Sequence, residues 1–83
     1  MAKNDGFERT ERVYDYEILP VEDGTQGVII HEAYFVTGSD FLTKTTLTIG
    51  SKTYPILLGS LVRDLDNKKT YMFDEVAKQW KEQ

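Results

Sequence analysis

The nine residues Val28 to Val36, VIIHEAYFV, are dense in β-branched and aromatic side chains. Such side chains suit a pleated strand, in which successive residues point to opposite faces. One face would carry Val28, Ile30, Glu32, Tyr34 and Val36, and the other Ile29, His31, Ala33 and Phe35. Both faces are largely apolar, which predicts a central strand covered on two sides over part of its length. The cover must come from a short chain. A domain of 83 residues buries only about 60 to 65% of the surface that its extended form exposes. Without cysteine it has neither a disulfide framework nor a thiolate metal site. Several of the five tyrosines, the four phenylalanines and Trp80 must therefore be structural.

The rest of the chain is punctuated as strands and turns. Residues 1–10 read as a flexible lead-in, and residues 11–83 as a single β-rich domain. In RVYDYEIL, Arg12, Tyr14, Tyr16 and Ile18 alternate with Val13, Asp15, Glu17 and Leu19, so that one face is rich in aromatics. Pro20 ends this strand. VEDGTQG then supplies an Asp-Gly step, the strongest local turn signal in the chain, and pairing across it makes a first hairpin. After the turn Thr37–Asp40, Phe41 and Leu42 plug one end of the core. Thr43–Ile49 and Lys52–Leu58 are strands joined by Gly50 and Ser51, with Pro55 placing the second at an edge.

The final stretch, Gly59 to Trp80, supports two structures. Leu61–Asp66 and Thr70–Phe73 can pair across a turn at Asn67, Lys68 and Lys69, because Asn and Asp side chains bond their own backbone and tolerate left-handed geometry. Gln79–Glu82 would then pair briefly, with Trp80 folded back over the hairpin. Phe73, Val76, Ala77 and Trp80 equally fit the i, i+3, i+4, i+7 spacing of an amphipathic helix over about residues 72–82. Asp74 and Glu75 lie early and Lys78 and Lys81 late, as a helix dipole prefers.

The segment resembles a short β-hairpin motif recurring in small structural proteins of tailed bacteriophages and prophages. The resemblance is carried by Gly59, Ser60, Asp64, Asp66, Lys69, Tyr71, Phe73, Asp74, Glu75 and Trp80. Val76 and Ala77 depart from it, standing where such segments usually carry polar loop residues. It covers under a third of the chain, implies a hairpin used in virion or accessory proteins, and brings no catalytic residues with it. The resulting expectation is an all-β fold, a small antiparallel sheet or partly open barrel of five to seven strands. The alternative is α+β with the C-terminal helix.

Charge and composition narrow the function. Residues 1–26 hold the whole formal charge of −4, and residues 27–83 balance to zero. A nucleic-acid binder that follows the backbone needs a basic stripe, so direct nucleic-acid binding is not expected. The longest run without a charged side chain, Thr53–Val62, is too short to span a bilayer, and no apolar signal segment opens the chain. No membrane association is expected, and the place of synthesis is the host cytoplasm, with incorporation into a virion as the structural reading requires.

Catalytic patterns are missing. His31 and Glu32 are neighbours that diverge in a regular strand, Asp64 and Asp66 lack a calcium-loop spacing, and Ser39, Ser51 and Ser60 lack a nucleophile elbow. GTQG is not followed by the Lys-Ser or Lys-Thr of a phosphate loop. No catalytic, cofactor or metal residue is assigned, and no cofactor is expected. The aromatic surplus is the remaining feature. Tyrosine and tryptophan suit interfaces because one end packs while the other bonds water or a partner. Tyr14, Tyr16, Tyr54, Tyr71 and Trp80 are the candidate protein contacts. The expected role is a non-enzymatic phage or prophage structural or accessory protein that contacts a partner or itself. A phage-encoded inhibitor of a host protein is the alternative, and a metal-binding module or enzyme the least supported one.

Overall fold

The turn that follows Pro20 and the alternation on either side of it build the first hairpin. A computed structural model describes residues 10–22 and 24–83, so the lead-in expected over residues 1–10 lies, Thr10 apart, outside the described residues. Strand β1 (Glu11–Pro20) pairs antiparallel with β2 (Gln26–Phe35). Their loop is closed by Val21 N–H donating to Thr25 O at 3.0 Å and by Thr25 Oγ1 donating to Glu22 O at 2.6 Å. The chain then makes a 3-10 turn at Phe41–Thr43 that buries Phe41. Strands β3 (Thr46–Ile49) and β4 (Lys52–Pro55) form a separate two-stranded sheet. Strands β5 (Leu61–Asp64), β6 (Lys69–Asp74) and β7 (Gln79–Glu82) complete a five-stranded sheet in the order β1-β2-β5-β6-β7. The fold is all-β, with seven strands in two sheets among the described residues.

Strand β2 forks on the side away from β1. Its last residues, Tyr34 and Phe35, pair in parallel with Arg63 and Asp64 of β5. Near its start, Val28 forms a parallel bridge to Ile56, and Leu57 N–H donates to Val28 O at 2.9 Å. Between these two partners the Ile30 N–H has no strand opposite, and it donates instead to Ser60 Oγ at 2.9 Å. Ser60 is fully buried. Its own carbonyl accepts from Phe73 N–H at 2.9 Å, so one residue ties β2 to β6 across the gap. Gly59, at φ +95°, delivers it there through a backbone conformation that a side chain would strain.

The apolar residues of β2 reach one core by a change of phase. Val28, Ile30, Ala33 and Phe35 are all buried, whereas His31 and Glu32 between them are exposed. Register shifts at Val13/Asp15 and Asp15/Tyr16 accompany this change. Strict alternation would have sent Ala33 and Phe35 to the face opposite Val28 and Ile30; the irregularity places all four in a single cluster. The same irregularity corrects the expected aromatic face of β1. Tyr14 lies 5.9 Å from Tyr34, while Tyr16 stands opposite Ile30, so Tyr14 and Tyr16 do not share a regular face. The buried cluster also takes Phe41, Ile56, Val62, Phe73 and Trp80, with Leu47, Ile49, Tyr54 and Tyr71 packed at its margin.

The last three strands form a meander, and the helix over residues 72–82 does not form. Val76, which the helical pattern would have buried, is 93% exposed. Phe73 and Trp80 are direct partners across β6 and β7, with ring centroids 5.0 Å apart. A four-residue turn between strands brings i and i+7 together much as two turns of helix would, which is why the spacing fitted both structures. The two hairpin turns repeat one design. Asp64 Oδ1 accepts from the N–H groups of Asp66 and Asn67, and Asp74 Oδ1 from those of Val76 and Ala77. Each turn closes on a lysine of positive φ, Lys68 at 56° and Lys78 at 58°.

Two stability predictions follow from these contacts. Ser60→Ala leaves the buried Ile30 N–H unpaired and should lower urea-unfolding stability by about 1–3 kcal/mol. Lys78→Gly relieves a left-handed backbone at an exposed position and should raise stability by about 0.5–1 kcal/mol in the same titration, whereas a loss would contradict the turn geometry.

Candidate functional site: an aromatic and acidic contact surface

The β1–β2 hairpin concentrates both the exposed tyrosines and the charge. Tyr14 is 49% exposed and Tyr16 41% exposed. The Tyr14 hydroxyl donates to Glu32 Oε2 at 3.2 Å, and its ring tilts against Tyr34 at 58°. Partial loss of hydration, followed by the hydrogen bond to Glu32 and the charge of Glu32, holds the Tyr14 phenol above its ordinary range. It therefore remains a neutral donor at any physiological pH. His31 Nε2 lies 3.4 Å from Glu17 Oε1 on the same hairpin. Residues 11–32 contain Glu11, Asp15, Glu17, Glu22, Asp23 and Glu32 against Arg12 alone, a formal −5 in a chain whose total is −4.

The other candidate contacts are placed differently. Tyr54 is half-buried on β4, opposite Leu47, and packs against the core from the small sheet. Tyr71 is half-buried, its ring 6.2 Å from Phe35. Trp80 is only 8% exposed and belongs to the core. Its indole N–H donates to Lys44 O at 3.0 Å and its ring lies 5.4 Å from Phe41, so its polar and apolar groups are both satisfied inside the chain. Of the five, Tyr14 and Tyr16 remain as exposed aromatic contacts, with Tyr34 as a companion that sequence reasoning had set apart. The available signal was the adjacent polar pair His31-Glu32 inside an otherwise apolar run.

Asp64 and Ser39 are engaged in structure. Asp64 is buried, and besides the two turn amides it accepts from Asn67 Nδ2 at 2.8 Å. Ser39 Oγ donates to Glu11 Oε1 at 2.8 Å and accepts from Phe41 N–H at 3.0 Å. Among the described residues no group of three or more His, Asp or Glu side chains is placed to hold a metal ion. Two open depressions flank β5, one of about 40 Å³ lined by His31, Glu32, Arg63 and Thr70 among others, and one of about 310 Å³ lined by Arg63, Asp64, Leu65, Lys68 and Thr70.

No family model, curated protein or solved structure matches the chain.

Asp66 provides a second electrostatic feature, away from the tyrosines. Thr37 N–H donates to Asp66 Oδ2 at 2.6 Å, and Thr37 Oγ1 donates to the same oxygen. These two bonds, the hydroxyl first and the amide second, hold the Asp66 carboxyl below its ordinary range. A depressed carboxyl stabilises the fold above the unfolded-state value, and that contribution disappears as pH falls through the folded-state value. The stability difference between the wild type and Asp66→Asn should accordingly be present at neutral pH and shrink in acid. Urea midpoints measured from pH 7 to pH 2 check this, and a difference independent of pH would refute the assignment.

Proposed function

We propose that this chain is a non-enzymatic protein-contact module, of the structural or accessory kind found in phages and prophages. The observation that carries the contact reading is the pair of exposed tyrosines on the β1–β2 hairpin, set among acids that amount to −5 over residues 11–32. Rigid amphipathic rings give contact area at low entropic cost. A surrounding acidic field favours a partner with basic groups and speeds its encounter. The phage assignment is supported only by the resemblance of the last third, Gly59 to Trp80, to the hairpin motif of such proteins. It places the protein in the host cytoplasm when made, and in the particle if it is a virion component.

A host-directed inhibitor is the second reading, favoured by the same acidic hairpin. The two differ in where the protein is found: a virion component co-purifies with particles, and an inhibitor stays with a host protein. Among the described residues no helix is long and apolar enough to cross a membrane.

Chemical cross-linking in the native host, followed by mass spectrometry, tests the contact reading. Wild type should yield a reproducible partner or self-linked product, and Tyr14→Ala/Tyr16→Ala should lose most of it while keeping the wild-type circular dichroism. A double variant that cross-links as well as wild type would overturn the role of these tyrosines. Light scattering that finds a strict monomer, with no cross-linked partner at all, would overturn the proposal itself.

A further inference from the structure

The outer edge of β1 has no strand beside it among the described residues. β1 is the terminal strand of the five-stranded sheet, and β2 is its single neighbour. It spans ten residues, against four for β7 at the opposite edge. An edge strand offers a row of N–H and C=O groups to another chain unless something blunts it. Lysine and proline are common guards, and β1 has no lysine and only the terminal Pro20. The register shifts fall at Val13/Asp15 and Asp15/Tyr16, so the regular part of the edge is the run Tyr16–Leu19.

Charge decides what can lie there. The run carries Glu17 and continues from Asp15, and its hairpin is the acidic part of the chain. Laying β1 of a second copy alongside would bring two such hairpins together, so like-charge repulsion disfavours self-pairing. A segment with lysines or arginines on alternate positions would place them beside Asp15 and Glu17, while its main chain continued the sheet. We infer that the β1 edge accepts an extended, basic segment of a partner protein as a sixth strand. This mode of recognition draws affinity from main-chain bonds and selectivity from alternate side chains. The inference rests on the contact reading and specifies the partner's chemistry and geometry.

The probe is a synthetic peptide of about ten residues with alternating lysine and valine, the length of one long strand. Binding is measured by fluorescence anisotropy, and amide hydrogen exchange locates it. Binding should protect the amides of Tyr16 and Ile18, which face the open edge, whereas those of Glu17 and Leu19 face β2. Glutamate in place of lysine should abolish binding, as should N-methylation of alternate residues, which removes main-chain donors. Glu17→Lys, at an exposed site, should weaken binding by about tenfold.

Failure of the probe to bind, equal binding of the N-methylated peptide, or protection confined to other strands would each overturn the inference. So would protection of the outward-facing Tyr16 and Ile18 amides in the protein alone, since those of Glu17 and Leu19 already face β2. If that protection grew with concentration, the edge would be taken by a second copy; if it did not, by this chain's own residues. Loss of cross-linking in the tyrosine variant, with no exchange effect on β1, would leave the contact surface standing and remove strand addition alone.

Discussion

The structure depends on a buried hydrogen bond at the fork of β2. One strand serves three neighbours, β1 along its length, β5 at one end, and the chain leaving β4 at the other. Such a branch leaves an amide between partners, and an unpaired buried amide costs about as much as a lost hydrogen bond. Ser60 Oγ satisfies that amide, while the Ser60 carbonyl is bonded by β6. The small sheet and the meander can therefore share one core without opening a polar gap. Ser60 is thus the most buried polar residue among the described residues.

Core and surface are divided by the irregularity in the first hairpin. A strand with apolar residues on both faces would normally need two covers, and a chain of 83 residues has little material for a second. Changing phase at His31-Glu32 sends Val28, Ile30, Ala33 and Phe35 to the same cluster. On β1 the matching shift separates Tyr14 from Tyr16 and brings Tyr14 to Tyr34 and Glu32. The placing of Tyr14 beside Tyr34 and Glu32 is thus a consequence of how the core is filled.

The final third shows how local signals can be legible and still ambiguous. An aspartate that accepts from amides two and three residues ahead caps a helix or closes a turn with the same bonds, so Asp74 fits either. The i, i+7 spacing of Phe73 and Trp80 also serves both. What separates them is pairing at a distance: β6 is held on its other side by β5, and Trp80 is held by Phe41 and the Lys44 carbonyl. An isolated helix of about ten residues has no comparable support.

The sequence by itself determined the β character of residues 11–58, the turn after Pro20, the Gly50-Ser51 turn, and an aromatic core that includes Phe41, because these follow from residue types acting locally. It also determined that charge gathers on the first hairpin. Tertiary structure alone decided the phase change in β2, the parallel meeting of β2 with β5, the burial of Ser60 and Trp80, and the choice of hairpin over helix. Each of these depends on residues distant in the chain competing for the same core volume or the same hydrogen-bond partner, and no local pattern encodes the outcome of that competition.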